Sequence, residues 1–287
     1  MSSVSRVVVG VDGSPLSQTA VARAAQFASD RGMTLHVMHA FATDLPMLGF
    51  GALADREVIL THGKRLLAEG AARAHAIDPD LTVTTALRDG YASEALVAAS
   101  QTADLLVIGA MGNGVFSRAS VGAVAMQVVT HARCPVLVVQ HELSGRPVTG
   151  GRVVVGVDGS PESLRALRTG FREAALTGGS LDVVHAWQAT SAEDPTLGPS
   201  SDWDEYQSRV GSIIDEALAD ARRAQPEVKV EQEVVRADPL RSLVERSEGA
   251  SLVVVGSRGS GGFPGLHVGS TALRLMGRSY CPILFTR

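Results

Sequence analysis

The chain has 287 residues, of which 26 are basic, 30 acidic and 45% hydrophobic, and its net charge is −4; with a mean hydropathy of +0.14 it can bury a core in each of about two domains. The charges are spread along the chain without a basic run, so the electrostatic footprint of a nucleic-acid or anionic-membrane partner is missing and neither is expected. No stretch approaches the ~18 continuous apolar residues of a membrane span, and the three valines at 7–9 are too few for a secretory signal, so a cytoplasmic location is expected.

Taken in order, RVVVGV at 6–11 reads as a strand, and residues 15–31 as a helix with Ala20, Val21, Ala24, Phe27 and Ala28 at helical spacing. TLHVMHA at 34–40 predicts a second strand and 54–76 a second helix. LTVTTAL at 81–87, a helix over 92–101, DLLVIG at 104–109, a helix over 121–132 and PVLVVQ at 135–140 complete five strands and four helices. Strands apolar on both faces and separated by helices imply a parallel sheet covered on both sides.

The pattern then starts again. VVVGVDGSP at 7–15 returns unchanged at 153–161, and an offset of 146 or 147 residues also aligns His39-Ala40 with His185-Ala186 and RCPVLVV at 133–139 with YCPILFT at 280–286. The reading is two tandem α/β, Rossmann-like domains, each a five-stranded parallel sheet with helices on both faces. They occupy 1–143 and 152–287, joined by a Gly- and Pro-containing linker at 144–151. Cys134 and Cys281 occupy equivalent positions before a proline and read as buried thiols, not a disulfide.

Ligands of such sheets bind at the carboxyl ends of the strands. There, Ser14 and Ser160 are natural N-caps with Pro15 and Pro161 at the first helical position. Asp12 and Asp158 stand before a cap already supplied; each either faces a ligand or makes a second cap or loop hydrogen bond. In the second domain GSRGSGGFPGLHVGST, residues 256–271, follows a buried strand and precedes a helix. Its glycines are expected to leave backbone N–H groups free to cradle phosphate, with the positive end of the next helix aimed at the same anion. The loop spans about a dozen residues where two to six are usual, which favours a functional role. Neither GxxxxGK[ST] nor a correctly placed GxGxxG occurs, which argues against a Walker-type or standard dinucleotide site.

The spacing Gly256-x-x-Gly259, nine residues, Gly269-Ser270 resembles the G-2x-G-9x-G-[ST] signature of ATP-binding universal stress proteins. An Asp ending strand one, a His-Ala pair closing strand two and a Cys-Pro before strand five fit the same family, and the resemblance covers both halves. It implies the adenine nucleotide alpha hydrolase-like variant of the fold, with ATP in each domain and Mg2+ beside the phosphates without direct protein ligation. Asp12 and Asp158 would contact the adenosine part, with Gly10 and Gly156 beneath, and the backbone of Ala40 and Ala186 would meet adenine. Gly256 and Gly259, with Arg258, Ser260 and Gly261, would hold ribose and phosphates, and Gly269, Ser270 and Thr271 the distal phosphates. The first-domain counterparts are Gly109, Met111, Gly112, Asn113, Gly114 and Gly122. There Ala123 replaces the hydroxyl residue; a donor bond worth about 1.5–3 kcal/mol is lost if it were made, so weaker binding is expected at the first site. Arg118 in that loop either supplies compensating charge or is solvent-exposed.

His39 and His185 lack a second ligand at metal spacing and read as strand-end histidines fixing local hydrogen bonds. His267 stands near the phosphate loop. The loops at 41–53 and between Trp187 and Trp203 read as mobile segments that could fold over nucleotide or form an oligomer contact. Residues 109–123 and 256–271 contain no Asp, Glu or Gln to orient a nucleophile, so a nucleotide-binding regulator is expected. A slow ATPase or other nucleotide-processing enzyme, or a cyclic AMP binder, on the same fold is the alternative. The resemblance also implies self-association through the fifth-strand edge, within the chain and as a homodimer, and an unidentified protein partner.

Overall fold

The computed structural model describes residues 5–41, 52–112, 121–140, 151–187, 203–259 and 268–287. The chain divides into two compact units, Met1–Pro147 and Val148–Arg287. In the first, β1 (Arg6–Gly10), α1 (Pro15–Ser29), β2 (Thr34–Phe41), α2 (Ala52–Ile77), β3 (Val83–Asp89), α3 (Ala92–Ala99), β4 (Leu105–Gly109), α4 (Ala123–His131) and β5 (Val136–Val139) alternate along the chain. The strands lie in the order β3-β2-β1-β4-β5, and every pairing is parallel.

The second unit repeats the plan with β6 (Arg152–Gly156), α5 (Pro161–Thr177), β7 (Ser180–Trp187), α6 (Trp203–Ala224), β8 (Val230–Arg236), α7 (Pro239–Ser247), β9 (Leu252–Gly256), α8 (Ser270–Leu275) and β10 (Ile283–Thr286). Its order is β10-β9-β6-β7-β8, again parallel throughout. The direction of strand progression reverses after β3 and after β8. With right-handed crossovers, α1 and α2 therefore cover one face of the first sheet, and α3 and α4 the other, which agrees with α1 packing on α2 and α3 on α4.

The valines explain why these strands are central. Val7, Val8 and Val9 have 0% exposure; they are β-branched and suit a strand covered on both sides. The third strand begins two residues later than its apolar pattern predicts. Leu81 N–H bonds back to the Asp78 carbonyl (3.2 Å), holding that residue in a turn. Ser14 Oγ accepts from Ser17 N–H at 3.1 Å and Ser160 Oγ from Ser163 N–H at 3.2 Å, so both serines cap as expected. Cys134 and Cys281 are buried free thiols. Among the described residues no helix is long and apolar enough to cross a membrane.

Candidate functional site

The tips of β1, β2 and β4 meet the starts of α1 and α4 around a cavity of about 290 Å³ in the first domain. Gly10, Asp12, Ala40, Gly109, Met111, Gly112, Gly122 and Ala123 all line it, so each described first-domain candidate reaches one place. Asn113, Gly114, Ser260 and Gly261 lie outside the described residues, as do Arg118, His267, 42–51, 188–202 and most of the linker.

Asp12 does two things at once. Its Oδ1 accepts from Ser14 N–H (2.9 Å), the loop hydrogen bond held open above, and Gly13 takes φ +81° to close the turn. Its Oδ2 lies against Gly112: a Cβ placed there would stand 2.3 Å from that oxygen. Asp158 repeats the arrangement, with Oδ1 on Ser160 N–H (3.0 Å) and Oδ2 2.4 Å from a Cβ built at Gly259. The second glycine of each signature is thus required by space for a carboxylate.

The other glycines correct the expectation of free backbone donors. Gly122 N–H donates to the Ala110 carbonyl (2.8 Å) and Gly269 N–H to the Ser257 carbonyl (2.7 Å); these bonds tie the returning loop to the strand tip. Gly109 and Gly256 admit the neighbouring helix: their Cβ atoms would lie 3.0 Å from Leu16 Cβ and 3.1 Å from Glu162 Cβ respectively. Gly10 and Gly156 sit under Leu96 and Leu243 in the same way.

Donors come instead from helix starts. Gly122 and Gly269 are the N-caps of α4 and α8, and neither helix has a side-chain cap. The first-turn N–H groups of Ala123, Val124 and Ala125 have no intrahelical acceptor, and all three residues line the cavity. Such a helix start favours an anion. Ala123 and Ser270 occupy the same first helical position, so the two domains differ by one hydroxyl at an equivalent point; Thr271 follows, half-buried. Arg258 departs more. Its guanidinium lies 3.4 Å from Glu162 on α5, whereas its counterpart Met111 carries no charge.

His39 Nδ1–H donates to the Val11 carbonyl (2.7 Å), and His185 Nδ1–H to the Val157 carbonyl (2.9 Å). Both histidines fix strand ends, as expected. The second domain adds an aromatic cluster at the end of β7. Tyr206 O–H donates to His185 Nε2 (2.7 Å), Trp203 stacks on Tyr206 at 5.5 Å, and Trp187 lies 6.1 Å from Trp203. Sequence reasoning treated those tryptophans only as loop flanks. The available signal was the three-residue spacing of Trp203 and Tyr206, which puts both on one helix face. Among the described residues no group of His, Cys, Asp or Glu could hold a metal ion.

Burial holds the His185 imidazole below its ordinary pKa, against the opposing effects of the Val157 carbonyl and the Asp158 charge. The unfolded chain therefore takes up this proton first. His185 adds full stability above about pH 6.5 and loses it as pH falls through its lowered folded value. Both tryptophans lie in the second domain, so their fluorescence reads that domain's unfolding alone. Its melting temperature is expected to fall on acidification below about pH 6.5, with a shallower fall in His185→Gln; equal slopes would show that other groups carry the effect.

These elements define an α/β protein of two doubly wound domains with a cleft at the carboxyl edge of the sheet. The model of the universal stress protein family matches residues 3–140 and 151–287. The chain belongs to that family, with two such domains in tandem. It is 35% identical over 292 residues to a universal stress protein of Mycobacterium tuberculosis, covering 98% of this chain and 96% of the relative. It is 31% identical over 290 residues to one of Mycolicibacterium smegmatis, with the same two coverages. The crystal structure of a universal stress protein from Archaeoglobus fulgidus superposes with a TM-score of 0.74 at 20% identity, over 98% of this chain and 96% of that one.

Proposed function

We propose that the chain is an adenine-nucleotide-binding regulator, with ATP held at the carboxyl edge of each sheet and the phosphates directed to the starts of α4 and α8. The observation that carries this reading is the first-domain cavity, where a carboxylate at the β1 tip and three uncapped N–H groups at the α4 start face one space. The carboxylate suits a ribose hydroxyl and the helix start suits phosphate. Its ~290 Å³ is near the lower end of ligand pockets, about 300 Å³. Mg2+ would travel with the triphosphate oxygens, neutralising them. No side chain of the described cavity lining supplies a second carboxylate or a glutamine to orient water, which supports regulation by occupancy over rapid turnover.

Titration calorimetry of the full chain with ATP, paired with mass spectrometry of the native complex, tests the reading. Absence of adenine-nucleotide binding would sink it, and steady phosphate release above about 1 s⁻¹, an ordinary enzyme rate, would replace it with an ATPase. Cyclic AMP preferred over ATP would move the site to a monophosphate. Ala123→Ser restores the missing hydroxyl. It is expected to tighten the first site roughly tenfold and leave the second unchanged; no change at either site would remove the argument for unequal pockets.

A further inference from the structure

The first domain has a second cavity, about 490 Å³, between β2, β3 and α3. Met38 is the one lining residue it shares with the cavity at the β1 tip. The second domain shows what this position holds when the chain fills it. There Arg152 donates to the Asp182 carboxylate (2.9 Å), as does Arg246 (3.0 Å), and Arg246 also pairs with Glu233. Asp182 is only 5% exposed. This is an arginine-carboxylate network built across the start of β6, the middle of β7 and the end of α7.

The strand registers give the counterparts. Arg6 pairs with Thr34 as Arg152 pairs with Ser180, so Arg6 matches Arg152 and His36 matches Asp182. Ala86 stands for Glu233, and Ala99, the last residue of α3, stands for Arg246 near the end of α7. The first domain keeps the arginine and deletes the acid. Arg6 Nε is buried without a hydrogen-bond partner, while its Nη2 reaches Thr102. Arg88 at the end of β3 lines the same groove. Among the described residues neither Arg6 nor Arg88 has a carboxylate within ion-pair distance. His36 sits between these charges: burial, then Arg6 and Arg88, hold its pKa below the usual value. The groove also contains Asp89, 3.8 Å from Arg56, and Glu94 on α3. Asp104 accepts from the Arg6 backbone N–H (2.7 Å). These acids limit the positive field, so a ligand must engage the guanidinium groups directly.

We propose that this groove binds a small oxyanion, a carboxylate or phosphate group, between Arg6 and Arg88, where the Asp182 carboxylate lies in the second domain. A buried guanidinium nitrogen lacking an acceptor is costly, and a bidentate oxyanion is the partner its planar fork fits best.

The test uses the nucleotide-free full chain, titrated separately with inorganic phosphate and with succinate, while NMR follows the His36 ring and the Arg88 side chain. A saturable shift at both is expected. Arg88→Ala removes an exposed side chain and is expected to weaken binding roughly tenfold or more. His36→Asp supplies the internal carboxylate of the second domain and is expected to abolish binding. Response to phosphate alone assigns the site to phosphorylated ligands, to succinate alone to carboxylates, and to both to oxyanions generally. No saturable shift at His36 with either probe, or unchanged affinity in either variant, overturns the proposal.

Discussion

Replacing Gly112 by alanine is expected to cost the first domain about 100-fold in ATP affinity, roughly 2.7 kcal/mol, at little cost in stability. Gly112 does not need positive φ, since it is absent from the glycines that adopt it; the constraint is space. An added Cβ would lie 2.3 Å from Asp12 Oδ2, well inside contact distance. The carboxylate cannot simply swing aside, because Oδ1 is held by Ser14 N–H at 2.9 Å and Ser14 in turn caps α1. Either the Asp12 side chain leaves its turn or the strip from Gly109 to Gly112 moves out, and each changes the cavity wall. Gly112 itself is exposed, so the loop can move without opening the core. Gly259→Ala is expected to do the same to the second domain through Asp158, whose Oδ2 would be 2.4 Å away.

The control is Gly122→Ala. Gly122 has φ −66°, and the nearest atom to an added Cβ is the Ala110 carbonyl oxygen at 3.4 Å. It is expected to change affinity by no more than about threefold, roughly 0.7 kcal/mol. Calorimetric titration with ATP compares the two variants, and thermal melting confirms that each is folded. If both weakened binding equally, the glycines would be acting through loop flexibility, and the steric account of Gly112 would be wrong.

Sequence periodicity made the scaffold legible because two-sided burial leaves an unambiguous trace: valine runs in the strands, small apolar residues at helical spacing, and a Ser-Pro start for α1 and α5. The repeat then doubled every observation. The candidate pocket was legible as a set of positions, since strand tips and helix starts must converge at one edge of a parallel sheet. What each glycine does was less legible. Gly109 makes room for Leu16, Gly112 for Asp12, and Gly122 spends its N–H on Ala110; identical letters serve three purposes because the neighbour that decides each comes from elsewhere in the chain. The Asp182 network was invisible for the same reason. An acid in mid-strand looks like a solvent-facing position until α7 brings Arg246 onto it, and His36 at the matching position gives no hint that its domain lacks that partner.

Asp182→Ala is expected to remove about 3–4 kcal/mol from the stability of the second domain, since deleting one member of a buried ion pair leaves uncompensated charge behind. This is a large share of the ~5–15 kcal/mol that holds a domain. Arg152 would retain its bonds to the Arg246 and Glu248 carbonyls, each 2.9 Å, and Arg246 its pairing with Glu233, but the charge centre between them would be gone. Urea unfolding followed by tryptophan fluorescence measures the loss, because Trp187 and Trp203 both report on this domain. The double variant Asp182→Ala with Arg246→Ala discriminates between two accounts. If the cost is the orphaned guanidinium, removing Arg246 as well recovers part of it, and the double variant is no less stable than Asp182→Ala alone. If instead Arg246 still stabilises the domain through Glu233, the double variant is less stable than Asp182→Ala alone. The first domain folds the same strands with His36 and Ala99 in these places and keeps Arg6 without a carboxylate among the described residues, so the architecture itself does not depend on the acid; the expected loss belongs to the two arginines that the second domain gathers around Asp182.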